Sequence, residues 1–211
     1  MDEDGAASGS NGWSGLGAIA ALNGLNTRCF AALAEAVRGE RAVGERSSIS
    51  RELRLWGRVD QRACERAGSC PVLLLNLNFD RVEWWKGVSR GAVGLTCTAG
   101  PSPLFAEACG SPLLREILTE VRQLSRSTLR AANLLFGLAP GVGAQIADLS
   151  VPEIERIAND HLRSLRPRWE ASAVFWKNLL EAATGTDDEA LAIVHLHCLQ
   201  LLGNDLEVHY N

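Results

Sequence analysis

Three arginines at two- and three-residue spacing, Arg163, Arg166 and Arg168, stand in the segment His161-Leu-Arg163-Ser-Leu-Arg166-Pro-Arg168. Guanidinium groups spaced this way along an extended chain can follow a run of phosphates, so the chemistry they suggest is contact with a nucleic-acid backbone. Salt bridges to Glu170 or to neighbouring acids are the competing use of the same charges. Together with Arg156, upstream on a helix, they make up the candidate DNA-binding set. A second short cluster, His195-Leu-His197-Cys198, has ligand-type side chains but poor metal geometry. On a helix His195 and Cys198 share a face while His197 lies well away, and no second ligand pair at zinc spacing accompanies them. No GxSxG elbow occurs, and Gly137-Leu-Ala-Pro-Gly141-Val-Gly143 lacks the GK[ST] ending that would place a lysine on phosphates. The expectation is therefore a chain that is not an enzyme and carries neither cofactor nor metal.

The elements that must hold the arginines are readable in Leu134–Trp169. Ser150-Val-Pro-Glu153 is a capping box, in which the serine oxygen can accept from the Glu153 amide while the glutamate reaches back to the Ser150 amide. It fixes the start of a helix whose apolar face is Ile154, Ile157 and Ala158. Gly137 ends the preceding element and Pro140 permits a helix over Val142–Leu149, so two helices meet at a tight turn in the outline of a helix-turn-helix. The outward residues of the second helix are Glu153, Glu155, Arg156, Asn159 and Asp160. Acids repel phosphate there, which shifts the expected DNA contacts to the extended basic segment Leu162–Trp169. Upstream, Leu114, Ile117, Leu118, Val121, Leu124, Leu129, Ala132 and Leu135 keep helical spacing and predict one long helix starting at Pro112. Downstream, Ser172–Ala183 and Asp187–Leu202 read as two closing helices, the second opened by acids that suit a helix N-terminus.

The first half offers less chemistry. Residues 1–14 are small and polar and read as a disordered tail. Ile19, Leu22, Leu25, Phe30, Leu33 and Val37 recur at three- and four-residue steps and predict a helix or a helix pair. From Ser48 an amphipathic helix is expected, with Leu53, Trp56, Val59 and Ala63 on one face and Arg51, Arg54, Arg58 and Arg62 on the other. That arginine stripe is a solvated face or a phosphate contact. The apolar run over 71–79 after Cys70 suits a short strand or a tight helical turn, and Trp84-Trp85 reads as a packing clamp. A ligand role would instead need a pocket beneath Trp84, Trp85 and Trp169. Gly87–Pro112 is dense in Gly, Pro, Ser and Thr and reads as a connection. The organisation expected is a tail over 1–14, an N-terminal helical region over 15–110 and a second helical domain over 111–205.

Composition bounds these readings. A chain of 211 residues, 46% hydrophobic and 22% charged, can bury a sizeable core. A net charge of −4 excludes a general nucleic-acid coat but not a local basic face. Charge is uneven: Arg28–Arg66 holds nine arginines against six acids, whereas Ala171–Asn211 holds Lys177 against six acids. Six cysteines without a CxxC pair suggest reduced, mostly buried thiols. The acidic start and the Gly/Ser/Asn-rich Gly5–Thr27 lack the marks of a secretory signal or a membrane span, so a cytoplasmic protein without membrane partner is expected. The fold class expected is mainly α, a helical bundle carrying the helix-turn-helix-like unit and one short strand or hairpin.

Phe136-Gly-Leu138, Ala144-Gln-Ile-Ala147-Asp-Leu149-Ser150, Pro152-Glu-Ile154-Glu-Arg156-Ile157-Ala158 and Arg168-Trp169 resemble, in order and spacing, the FxLG, LAxLT-P, KLA and RF series of the FlhD family of flagellar transcriptional activators. The resemblance runs from near Leu114 to near Ala183. It implies an all-helical homodimeric regulator that binds promoter DNA with an FlhC-like partner protein. Residues before Pro112 have no counterpart in that family, and Leu165 stands where many members carry a subunit-linking cysteine.

Overall fold

Asn26 and the chain segment it holds organise the molecule. The computed structural model describes residues 15–43, 48–89 and 104–210. The expected tail over 1–14 and most of the Gly/Pro-rich connection lie outside them. Among the described residues the fold is mainly helical, with one two-stranded antiparallel sheet.

Helix α1 spans Gly15–Val43 as one continuous element. Its apolar residues Leu22, Leu25, Phe30, Leu33 and Val37 are fully buried, as the periodicity requires. The amphipathic segment that follows buries Trp56, Val59 and Ala63 but lacks the expected continuity. It is split into a 3-10 turn over Ser48–Glu52, a single turn α2 over Leu53–Trp56, and α3 over Gln61–Gly68. The break has a local cause: Asp60 adopts extended backbone and its carboxylate accepts from the Ala63 amide at 2.8 Å, starting a new helix. Arg38 of α1 donates to the Trp56 and Val59 carbonyls at 3.2 and 2.7 Å and so takes up the acceptors that α2 leaves open. Arg51, Arg54, Arg58 and Arg62 are exposed.

The run after Cys70 is neither a long strand nor a helix. Strand β1 covers only Leu75–Asn76 and pairs with β2, Arg166–Pro167, in the register Leu75 to Pro167 and Asn76 to Arg166. Helix α4 spans Val82–Ser89. Asn26, fully buried on α1, donates to the Cys70 and Val72 carbonyls at 3.1 and 2.9 Å and accepts from the Leu74 amide at 2.9 Å. Further along, Leu73 donates to the Leu135 carbonyl and Ala139 to the Phe79 carbonyl. One irregular segment is thereby tied to α1, to β2 and to the turn after residue 136.

The long helix expected from Pro112 is two helices. Helix α5 begins earlier, at Glu107, and ends at Ser127; α6 covers Leu129–Phe136. Thr128 separates them with φ −151° and ψ 84°. Helices α7, Val142–Asp148, and α8, Val151–Asp160, follow. A 3-10 turn over Leu162–Ser164 and β2 replace the fully extended segment expected over Leu162–Trp169. Helices α9, Ala173–Thr184, and α10, Asp188–Tyr210, close the chain.

No boundary falls at Ser111, which lies inside α5. Residues from both halves form one core, and an aromatic column crosses it from Phe30 through Trp56 and Trp176 to Phe175 and Trp169 at centroid distances of 5.1 to 6.3 Å. Cys29, Cys64, Cys70 and Cys198 are buried free thiols and Cys109 is exposed. Cys70 and Cys198 meet sulfur to sulfur at 3.2 Å. Gly68 is required where α3 crosses α1, because a Cβ there would lie 2.9 Å from the Asn23 carbonyl oxygen and closer still to Thr27. Two outcomes follow. Asn26→Ala strands two carbonyls and an amide in the core and should lower unfolding free energy by about 2–4 kcal/mol. Gly68→Ala should lower it by about 1–3 kcal/mol through overpacking. Urea denaturation read by tryptophan fluorescence checks both.

Candidate functional site

Helices α7 and α8 are joined through Leu149 and Ser150, and both pack on α5. Val142, Gly143 and Ile146 of α7 and Ile154, Ile157 and Ala158 of α8 are buried. The capping box forms: Ser150 accepts from the Glu153 amide at 3.4 Å while the Ser150 amide donates to Glu153 Oε2 at 2.8 Å. The Ser150 hydroxyl and amide bonds hold the Glu153 carboxyl below its ordinary pKa.

On the outer face of α8, Glu155 and Arg156 make internal contacts while Asn159 and Asp160 are exposed. Glu155 accepts from Arg115 Nε at 2.7 Å, and Arg156 donates to the Val88 carbonyl at 3.0 Å with Asp160 4.0 Å away. The four candidate DNA contacts are not brought to one face. Arg163 is exposed, Arg156 and Arg166 are half-buried, and Arg168 is buried at 4% exposure. Arg168 is therefore removed from the candidate DNA contacts. Its backbone amide donates to the Leu74 carbonyl at 2.8 Å, extending the β1–β2 pairing and turning its side chain inward. There Nη2 donates to the Phe136 carbonyl at the end of α6, where a cation complements the helix terminus. His161, in the same segment, is also buried and packs edge-on against Trp84 at 5.2 Å.

Arg168 instead belongs to a cavity of about 260 Å³ lined by Asn76, Asp80, Gly137, Arg168, Trp169, Asp205 and Leu206. Burial pushes the Arg168 guanidinium down from its ordinary pKa and Asp205, with a smaller contribution from Asp80, opposes the shift. Nε of Arg168 is buried and has no hydrogen-bond partner. The carboxylates are held from outside. Trp169 Nε1 donates to Asp205 Oδ2 at 2.7 Å, and Asn76 Nδ2 donates to Asp80 Oδ1 at 3.0 Å. Left-handed backbone gathers here: Gly137 at φ 58° and Trp169 at φ 51° line the cavity, and Asn78 at φ 50° lies between Asn76 and Asp80. Only glycine fits position 137, because a Cβ there would fall inside the Arg168 guanidinium. A tryptophan in this conformation is costly, and such strain concentrates at ligand sites.

Of these lining residues the sequence pointed to Arg168 and Trp169. Asn76, Asp80 and Asp205 were missed; the available signal was Asn76-Leu-Asn78-Phe-Asp80, short polar side chains at alternate positions directly after a buried apolar run. The His195-Leu-His197-Cys198 cluster is dispersed: His195 lies 3.3 Å from Ser69 Oγ, His197 packs edge-on to Phe175, and Cys198 faces Cys70. Among the described residues no group of three or more His, Cys, Asp or Glu side chains could hold a metal ion. No helix of the described residues is long and apolar enough to cross a membrane.

No protein-family model, no curated protein and no solved structure matches this chain.

Replacing Arg168 by Ala should cost about 2–4 kcal/mol of stability, because the Phe136 carbonyl loses its charged donor and a buried side chain is deleted, whereas Arg163→Ala should stay within about 0.5 kcal/mol. Chemical denaturation of the two variants checks the contrast. Burial lowers the pKa of His161 and of His195 below the ordinary 6.5. The unfolded chain then binds more protons than the folded one below pH 6.5, so the stability these residues contribute is present above that pH and falls as pH drops toward the folded pKa values. Melting temperature should decline from pH 6.5 downward, and a His161→Gln, His195→Gln double variant should flatten the slope in that window.

Proposed function

We propose that this chain is a non-enzymatic protein-interaction module whose working surface is the α9–α10 groove, and that its occupant is a basic amphipathic helix of a partner protein. The observation that carries this reading is the outer side of α10. Ile193 and Leu196 are 60% and 61% exposed and Leu199 follows one step on, all at three-residue spacing, while Val194, Cys198 and Leu202 are buried. A helix apolar on both sides has a second face that water does not suit. Beside it lies a groove of about 290 Å³ whose floor includes Ala182, Ala190, Ile193 and Val194 and whose rim carries Glu181 and Asp187. Glu189 is exposed next to the rim, as is Asp188, which pairs with Arg66. An apolar floor with an acidic rim matches a helix bearing apolar anchors and flanking Lys or Arg.

A second reading keeps the FlhD-like role of a transcriptional regulator acting as an oligomer on promoter DNA. The capped α7–α8 pair and exposed Arg163 favour it. The acids on α8 and the burial of Arg168 speak for DNA being reached through a partner rather than read directly.

A synthetic Leu/Lys amphipathic helix should bind the protein in fluorescence anisotropy, weaken with added salt, and lose about tenfold or more in affinity for Ile193→Glu or Glu181→Lys. Affinity of both variants equal to that of the unmodified protein overturns the partner-helix reading, and self-association that Ile193→Glu abolishes while the peptide is ignored overturns it in favour of a second copy of the chain. Salt-sensitive retention of duplex DNA by the isolated protein, lost in Arg163→Ala, would instead favour direct DNA contact.

A further inference from the structure

Arg168, Asp80 and Asp205 share the wall of one cavity of about 260 Å³, yet among the described residues no ion pair joins Arg168 to either acid. Each charged group is held by another partner: Arg168 by β2 pairing and by the Phe136 carbonyl, Asp80 by the Asn76 side-chain amide, and Asp205 by the Trp169 indole. The buried guanidinium is left with an unpaired Nε, and the acids are spaced from it across polar room large enough for more than a few waters.

From this arrangement we propose that the cavity binds a small basic amino acid, with its carboxylate at Arg168 and its cationic groups at Asp80 and Asp205. Arg81 lies 4.0 Å from Asp80 but is largely exposed and does not line the cavity, a contact that water screens. Inside the cavity one guanidinium faces two carboxylates and leaves one negative charge, which a ligand of one net positive charge cancels. A simple anion would meet two carboxylates. A diamine would set a second cation against Arg168. A molecule carrying a carboxylate at one end and cations at the other satisfies all three charged groups, and charge-assisted hydrogen bonds are the strong ones in such a setting. Gly137, where a side chain would meet the Arg168 guanidinium, lets that group pack against the turn, and Trp169 lines the cavity in left-handed backbone. Asp205 and Leu206 belong to α10, so occupancy ties the end of that helix to β2 and to the turn after α6.

The test is thermal unfolding of the full chain with four probes: L-arginine, L-lysine, agmatine, which is arginine without its carboxylate, and glutarate, which has no cation. L-arginine or L-lysine should raise the melting temperature saturably, and agmatine and glutarate should not. Asp80→Asn and Asp205→Asn should each weaken the amino acid by about tenfold or more by calorimetric titration. No shift with either amino acid, agmatine equal to L-arginine, or undiminished binding by both variants overturns the proposal. If a variant fails to fold, the probe series on the unmodified protein decides alone. The result is separable from the α9–α10 reading, which is measured with a peptide at another surface.

Discussion

The three hydrogen bonds of Asn26 are the constraint on which the rest of the structure rests. A buried amide side chain holds two carbonyls and one amide of the irregular segment over 70–74, so a stretch with no repeating backbone pattern becomes as fixed as a helix. From there the order propagates. Leu74 receives the Arg168 amide, Leu73 reaches Leu135, and Phe79 receives Ala139. Strand β2 is thus aligned by α1 through an intermediary, and the inward course of Arg168 is set by an asparagine far upstream.

That propagation explains why charged side chains from three elements meet at the edge of a core that is otherwise apolar. Arg168 and the C-terminal end of α6 supply the positive and negative poles of one contact, while Asp80 arrives on the chain leaving β1 and Asp205 on α10. Each charge enters on a different element. Arg168 is anchored by a backbone pairing to Leu74, and Asp80 and Asp205 each by a side-chain hydrogen bond.

Local signals in the sequence were legible where a single side chain decides the geometry. The Ser150–Glu153 box marked the start of α8, and the three- and four-residue steps from Leu22 to Val37 marked the buried side of α1. The arginine stripe at 51, 54, 58 and 62 was correctly placed outside even though the helix beneath it is broken at Asp60. Elements failed where the deciding partner was remote. Thr128 falls in the one five-residue step of an otherwise helical apolar pattern, Leu124 to Leu129, and Arg168 looks identical in sequence to exposed Arg163 until β1 is there to pair with it. The same remoteness hid Asp80 and Asp205, whose shared wall exists only after both ends of the chain have docked.

The sulfur contact between Cys70 and Cys198 carries a different consequence. The two positions are separated by 128 residues, both side chains are fully buried, and their sulfur atoms lie 3.2 Å apart. With no exposed surface to absorb a change, the volume open to one side chain is set by the other. They act as one steric unit divided between two distant parts of the chain. A larger residue at either position would have to be matched by a smaller one at its counterpart, so their substitution histories should be coupled although neither touches the cavity.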